Sequence, residues 1–284
     1  MKKRLSIFTL LAVLTMAIIS CQESLEPEMD IQEEVSQSIL DLLDKAGYST
    51  TDVLETEWNG KKGYVVEYDL FFTEEEIKNL SVDANIPNTE HYRTTNLVTA
   101  IPRVIKVGID PSFSQSAKTA LDNTLAMYNA ENLALSFQLA SVTVSGKGKK
   151  KTIISDAEIF ISAFKERPRR GFITLGRAAG FPTADGDPAE GFGLNTYWID
   201  RYAPSLEELK GVMAHEIGHT IGFRHTDYQT RESCGSNSNE GSAGVGAIYI
   251  PGTPTASDVS SWMQSCGPAT TFNGNDVTAL NYLY

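Results

Sequence analysis

Three of the four histidines in this 284-residue chain lie within one short segment, at positions 215, 219 and 225. His215 and His219 are four residues apart on a predicted helix, so both imidazoles lie on one face and can reach a common metal ion. We expect Gly222 to end that helix with a positive φ and the chain to return His225 as a third ligand. Three nitrogen ligands and an open fourth position are typical of catalytic zinc, because structural zinc sites use four protein ligands.

Glu216 stands beside the first histidine and is not expected to bind the metal. Its carboxylate can address a water molecule at the open position and act as a general base, which predicts a hydrolase. The main alternative is a lipid-anchored binding or adhesion module with a structural zinc site, although such a site has no use for Glu216. Hydrolysis of a bond other than a peptide bond is a third possibility. The fourth histidine, His91, lies in a polar linker and is expected to be exposed and incidental.

A resemblance to a known family rests on residues 215–225, which read HEIGHTIGFRH. This segment resembles the H-E-x-x-H-x-x-G-x-x-H zinc signature of the metzincin metallopeptidases, and its HEIGH spelling is similar to that of the bacterial dual-action HEIGH metallopeptidases. The resemblance implies a zinc-dependent endopeptidase with one catalytic Zn²⁺ and protein or peptide substrates. It also implies a metzincin-like α/β (α+β) domain over residues 97–284, with a mixed, twisted sheet and a long active-site helix.

Metzincins also have a methionine turn below the metal, and Ser261–Trp262–Met263 matches its Ser-x-Met form. The resemblance implies that Met263 supports the histidines without binding zinc, whereas ordinary core packing is the alternative. Two positions later, where astacins have a tyrosine, this chain has Ser265. Thr226 and Asp227 also replace the glutamate that follows the third histidine in astacins. The residue that stabilises the oxyanion therefore stays unassigned, with three candidates: Tyr197, Tyr228 and Tyr249.

The first 20 residues predict export. A basic run, Lys2–Lys3–Arg4, precedes an apolar stretch of about 15 residues, which is too short for a comfortable membrane span. The stretch ends Ile18–Ile19–Ser20–Cys21, which resembles a bacterial lipobox, so Cys21 is expected to carry lipid and anchor the protein in the cell envelope. A plain secretory signal is the alternative. Residues 21–30 are acidic and contain proline, as expected of a tether.

An extracytoplasmic location makes Cys234 and Cys266 a disulfide candidate, with free buried thiols as the alternative. The bond would close a loop of about 33 residues, worth roughly 3–4 kcal/mol. The net charge of −12 opposes binding to phosphate backbones, so no nucleic-acid partner is expected.

Residues 31–96 predict a small α+β unit of helix, strand and short helix. We interpret it as a prosegment that keeps the enzyme latent, because a carboxylate can occupy an open zinc position in place of water. Asp69 follows strand residues Val65 and Val66 and is the first candidate for that carboxylate. An accessory domain far from the metal is the alternative.

The elements that must position the site follow from residue periodicity. Residues 176–193 are expected to form an irregular surface loop, and Leu194–Trp198 is expected to be the edge strand that binds an extended substrate. Ser205 and Glu208 form a predicted capping box for the helix that carries His215. The other predicted elements are strands over 63–72, 101–109, 133–140, 157–164 and 172–175, and helices over 112–129 and 276–284.

Overall fold

An eight-stranded mixed sheet with helices packed against it forms the framework of the protein. The computed structural model describes residues 35–80, 91–146, 152–169, 172–237, 239–240, 246–255 and 257–284. The predicted signal peptide, the tether and Cys21 lie outside these residues. In the described part of the chain, no helix combines the length and apolar character that a membrane span requires.

The strands are β1 (Leu54–Trp58), β2 (Lys61–Val66), β3 (Leu70–Thr73), β4 (Tyr92–Arg93), β5 (Arg103–Ile109), β6 (Leu135–Leu139), β7 (Val142–Ser145), β8 (Thr152–Ser155), β9 (Ile159–Phe164), β10 (Gly176–Ala178), β11 (Gly191–Asn195) and β12 (Ile248–Tyr249). The helices are α1 (Gln37–Ala46), α2 (Glu74–Lys78), α3 (Gln115–Ala130), α4 (Thr196–Tyr202), α5 (Leu206–Thr220) and α6 (Gly274–Leu283). This mixture confirms the predicted α+β class.

The main sheet has the strand order β1-β2-β3-β10-β11-β9-β5-β6. Strands β11, β9, β5 and β6 run parallel to one another, with Val107 of β5 opposite Ile159 of β9. Strand β10 is antiparallel to β11 and parallel to β3. Two small antiparallel pairs, β12 with β4 and β7 with β8, lie outside the main sheet.

The helix that carries the histidines is fixed by its capping residues and by burial. Ser205 and Glu208 form the predicted capping box at the start of α5, which satisfies two backbone donors. Every residue from Leu209 to Thr220 is buried, so α5 is an interior helix. It packs on α3, where the Tyr128 hydroxyl donates to the Ala214 carbonyl at 2.8 Å. Packing on all sides fixes the direction of the side chains that α5 presents.

The segment predicted as a surface loop instead holds two interior strands, β10 and β11. Both are fully buried, and β11 lies between β10 and β9, so the predicted edge strand over 194–198 is wrong. Residues 196–198 begin α4, and the strand predicted over 172–175 instead begins four residues later, as β10. A Cβ on Gly193 would lie 2.7 Å from the Phe164 ring, so close packing selects glycine in a strand whose composition resembles a loop.

The N-terminal unit continues the same sheet through β1, β2 and β3. The single strand predicted over 63–72 is a hairpin, in which residues 67–69 form the loop between β2 and β3. Thr73 and Glu76 form a capping box at the start of α2, and Gly47 caps the end of α1. Residues 35–284 form one compact unit, and the division at residue 96 stays a prediction about processing.

Candidate metal centre

The three histidines of the motif converge on one point. The Nε2 atom of His219 lies 3.1 Å from Nε2 of His215 and 3.2 Å from Nε2 of His225, and the remaining pair is 3.3 Å apart. All three side chains are buried. Two nitrogens bound to one tetrahedral zinc ion are about 3.3 Å apart, so the spacing fits a shared metal ion.

The second nitrogen of each ring already has an oxygen partner. Nδ1 of His215 donates to the Trp262 carbonyl and Nδ1 of His219 to the Phe223 carbonyl, both at 2.9 Å. A ring that donates from Nδ1 presents a lone pair at Nε2 whenever it is neutral. Burial lowers the pKa of His219 to about 4, so its ring is neutral at pH 7. Lone pairs this close repel one another unless a cation lies between them. The convergence of three nitrogen lone pairs therefore shows that this set of donors fits a metal ion.

Gly222 makes the sharp return that brings His225 to the cluster. It ends the helical segment with φ +105°, as expected, and its N–H donates to the His219 carbonyl. The Thr226 N–H then donates to the Met263 carbonyl at 2.8 Å, which ties the return to the predicted methionine turn. Local geometry and one long-range hydrogen bond together position the third ligand.

Met263 lies directly against the helix that carries the ligands. A Cβ on Gly218 would lie 2.4 Å from the Met263 sulfur, so only glycine allows this approach. Met263 is almost completely buried, and the neighbouring carbonyl, that of Trp262, orients His215. This placement supports the predicted supporting role of Met263.

Asp69 occupies the side of the cluster that the histidines leave open. Its Oδ2 lies 2.7 Å from Nε2 of His225 and 3.8 Å from Nε2 of both other histidines. The four side chains form one buried group that could hold a metal ion. Burial alone would raise the pKa of Asp69, but the charge on His225 and hydrogen bonds from the histidines lower it well below its usual range. These distances place Asp69 of the N-terminal unit at the histidine cluster.

Two residues that sequence reasoning missed, Arg231 and Glu240, connect the Asp69 loop to the histidines. Glu240 Oε1 lies 2.7 Å from Nδ1 of His225 and 3.1 Å from Nη1 of Arg231. Arg231 Nη2 also donates to the Glu67 carbonyl at 2.9 Å. A carboxylate on the far nitrogen of a ligand histidine orients the ring and raises its basicity. Both residues lie in irregular segments without periodicity, so no sequence signal indicated them.

Glu216 lies beside the histidines and does not join them. It is buried, and its side chain lies so close to β10 that a Cβ on Gly176 would be 2.1 Å from Oε1. Its Oε2 has no hydrogen-bond partner among the described residues. Burial, followed by the charge on Asp69, raises the pKa of Glu216 well above its usual range. A carboxyl group with an elevated pKa is suited to accepting and returning a proton.

A cavity of about 270 Å³ opens beside Glu216 and His215. Residues 172–176 form one wall and residues 265–268 another, and Tyr68 and Asp69 of the hairpin loop complete it. Cys234 and Cys266 form the predicted disulfide, with Cα atoms 5.1 Å apart. The disulfide therefore holds one wall of the cavity to the segment that follows His225.

The three candidate tyrosines do not line this cavity. The Tyr228 ring packs 4.2 Å from the Tyr92 ring, and the Tyr249 hydroxyl donates to the Thr253 carbonyl. Tyr197 lies in the first turn of α4. The structure assigns none of the three to the oxyanion.

His91 is buried, so the expectation of an exposed and incidental histidine is wrong. It immediately precedes β4, which pairs with β12 and carries a ring packed against Tyr228. The Thr94 N–H donates to the Gly222 carbonyl at 2.8 Å. Residues 91–94 therefore pack against the segment that bears the third ligand.

Fold and site together define a metal-dependent hydrolase built on a histidine triad with an adjacent glutamate. The sequence matches the dual-action HEIGH metallo-peptidase family over residues 64–284, and the chain belongs to this family. The protein is thus a metallopeptidase, as the motif predicted. Membership implies a metal ion, typically zinc, and protein or peptide substrates.

Among solved structures, the chain is similar to myroilysin, with 11% identity and a TM-score of 0.40 over 66% of this chain and 96% of that one. It is also similar to high choriolytic enzyme 1, a hatching enzyme zinc-protease from the medaka fish Oryzias latipes. There the identity is 15% and the TM-score 0.35, over 64% of this chain and 88% of that one. No curated protein matches the sequence.

Proposed function

We propose that this protein is a zinc endopeptidase that is made latent by its N-terminal unit, acts on extracytoplasmic proteins and is anchored to the cell envelope through Cys21. The convergence of three histidine Nε2 atoms within 3.3 Å, with Glu216 beside them, carries the proposal. A structural site would have no use for that carboxylate, which weighs against the binding-module alternative.

His215, His219 and His225 would hold the metal, and Glu216 would perform proton transfer. When bound, zinc polarises the scissile carbonyl and lowers the pKa of water towards neutrality. Glu216 accepts the proton of the attacking water and later donates it to the leaving amine. Its carboxyl group lies close to the backbone of Gly176, which limits its movement. Trp262, Phe223 and Glu240 keep the three rings oriented.

Latency rests on two contacts of the same hairpin. Asp69 places a carboxylate oxygen at the position that the histidines leave for water and substrate. Its own carbonyl accepts a hydrogen bond from Ala178 of β10 at 2.7 Å, and Leu70 pairs with Ala178. The N-terminal unit thus covers both the metal position and the strand beside it. Displacement of the hairpin would be required before a substrate could enter.

Substrate recognition would use β10, the strand that the hairpin covers. After displacement of the hairpin, the side of β10 that pairs with β3 would accept an extended peptide through backbone hydrogen bonds, as in strand addition. Such recognition favours unfolded or flexible protein segments. The cavity walled by residues 265–268 would accommodate a side chain next to the scissile bond.

Casein cleavage tests this function. We expect the chain that carries Asp69→Ala to degrade casein, to lose this activity with a chelator and to regain it with Zn²⁺. A protein that retains zinc but cleaves no substrate in a broad panel of proteins would favour the binding-module alternative.

A further inference from the structure

A second buried group of potential ligands lies outside the histidine triad: His91, Asp258 and Asp276. His91 precedes β4, Asp258 lies in the loop before the methionine turn, and Asp276 lies in the first turn of α6. The exposed fractions of the side chains are 2%, 8% and 0%. The three ligand atoms lie within 4.8 Å of one another. Three distant segments of the chain thus meet at one interior point.

Two of these atoms have no hydrogen-bond partner among the described residues: Nε2 of His91 and Oδ1 of Asp276. They face each other at 3.9 Å, and Nε2 of His91 lies 3.5 Å from Oδ2 of Asp258. A direct hydrogen bond between a ring nitrogen and a carboxylate would measure about 2.7–2.9 Å. Buried polar atoms are almost always satisfied, so two orphans that face the same gap indicate a missing ligand.

The separations in this group match those of the primary centre. There, ligand atoms that could share one metal are 3.1 to 3.8 Å apart, apart from the closer contact between Asp69 and His225. The distances of 3.5 and 3.9 Å around His91 are of the same size. A cation between these atoms would satisfy both orphans at once.

Neighbouring groups hold the two carboxylates in place. Oδ2 of Asp258 accepts hydrogen bonds from the side-chain amides of Asn273 and Asn275, at 2.9 and 2.8 Å. Oδ2 of Asp276 accepts from the backbone N–H groups of Asn273 and Trp262, which leaves Oδ1 to face His91. Such outer contacts are typical of carboxylates that bind a metal.

We propose that His91, Asp258 and Asp276 bind a second divalent transition-metal ion, of the Zn²⁺ class, that serves structure. One imidazole and two carboxylates suit zinc and its neighbours, whereas Ca²⁺ and Mg²⁺ prefer oxygen ligands alone. The ion would join β4, the loop before Met263 and α6. Because Asp276 also binds the Trp262 N–H, it would steady the turn whose carbonyl orients His215.

The test counts metal ions in the full chain. Each protein is loaded with Zn²⁺, separated from free metal by gel filtration and analysed for zinc per chain. We expect two ions in the parent, one in His219→Ala, one in Asp276→Asn and none in the double variant. His91→Gln is a second route to losing the same ion, should Asp276→Asn fold poorly. Asn275→Ala is the matched control, since it removes a hydrogen bond to Asp258 but no ligand, and it should retain two.

The His219→Ala protein decides the question without altering the second group. If it retains one zinc ion, and Zn²⁺ raises its melting temperature, the second site is supported independently of catalysis. One ion in the parent and none in His219→Ala would overturn the proposal, as would retention of Ca²⁺ in place of Zn²⁺. An Asp69→Ala protein that binds zinc at the triad but is inactive on casein would instead contradict the proposed peptidase, so the two failures are distinguishable.

Discussion

At the scale of single residues, the centre separates metal binding from proton transfer. The ligand rings of His215, His219 and His225 are fixed by acceptors at Nδ1, while Glu216 is fixed by contact with the β10 backbone. None of these contacts involves both a ligand and the base. The two roles can therefore be removed one at a time.

Replacing Glu216 by Ala removes the proton acceptor but no metal ligand. We expect unchanged zinc at the triad and a fall in peptide hydrolysis of about 10²–10⁴-fold, the usual contribution of general acid–base catalysis. The measurement is kcat/KM on a peptide substrate in the Asp69→Ala background, with zinc content determined on the same samples. His219→Ala is the comparison and should lose both activity and the triad zinc. If the Asp69→Ala/Glu216→Ala protein hydrolyses the peptide at the rate of Asp69→Ala alone, the mechanism is contradicted.

At the scale of elements, the loop of the β2–β3 hairpin places Asp69 beside the histidines. Its loop holds Glu67 and Tyr68 with φ of 56° and 72°, a conformation that residues other than glycine rarely adopt. Such backbone strain costs about 1–3 kcal/mol per residue and persists only where the surroundings impose it. Arg231 supplies part of that constraint through the Glu67 carbonyl and the face of the Tyr68 ring. This loop conformation places Asp69 beside the histidines.

Asp69→Ala should convert the latent chain into an active one, because it removes the carboxylate from the metal position. We expect casein cleavage by the full chain to rise at least tenfold, measured as initial rate at equal zinc occupancy. Glu57→Ala is the control, because Glu57 is an exposed acidic residue on neighbouring β1. Equal rates for Asp69→Ala and the parent would show that the N-terminal unit does not inhibit through this residue.

The Cys234–Cys266 bond is an element-scale support for the cavity wall. Replacing both cysteines, in Cys234→Ala/Cys266→Ala, should lower the free energy of unfolding by roughly 3–4 kcal/mol, as loop-closure entropy predicts. Chemical denaturation of the parent and the variant measures the difference. Zinc at the triad should persist, since neither cysteine is a ligand. An unchanged unfolding midpoint would mean that the bond adds no stability.

At the scale of the whole molecule, the N-terminal unit and the catalytic part of the chain share one sheet. The core of the N-terminal unit includes Ala178 of β10, and its hairpin reaches the histidines. The N-terminal unit, for which we propose an inhibitory role, is thus an extension of the catalytic fold. Proteolytic removal of the N-terminal unit would have to leave residues 91–94 attached to the protease, because this segment pairs with β12 and contacts Gly222. We therefore expect a mature protease that begins before His91.

Anchoring is also a property of the whole molecule. Cys21→Ala should leave the protein unprocessed or release it from the membrane, because a stable anchor needs the acyl chains on that cysteine. Fractionation of expressing cells, followed by immunoblotting, measures the distribution. The Cys234→Ala/Cys266→Ala variant is the control for loss of cysteine as such. Unchanged retention of Cys21→Ala in the membrane fraction would contradict the proposed lipid anchor.

Sequence alone was sufficient to predict that the three histidines converge with Glu216 beside them, and to predict the capping box of α5. His215 and His219 are related by one helical turn, and the return to His225 spans only a few residues, so local geometry determines their convergence. Asp69 was also predicted, but as part of a strand, because the left-handed loop residues carry no glycine that would have indicated a turn.

Tertiary structure decided the features that depend on contacts between distant segments. Strands β10 and β11 resemble loops in composition, because Glu216 of α5 leaves room only for glycine at Gly176 and Phe164 of β9 does the same at Gly193. Glu240 and Arg231 act on the site from irregular segments whose course no periodicity describes. His91 stands in a polar stretch of sequence, yet folding buries it against Asp258 and Asp276, which lie more than 160 positions away. Hydrophobic periodicity predicts which side of a helix or strand is buried. Only the packed chain determines which residues that side contacts.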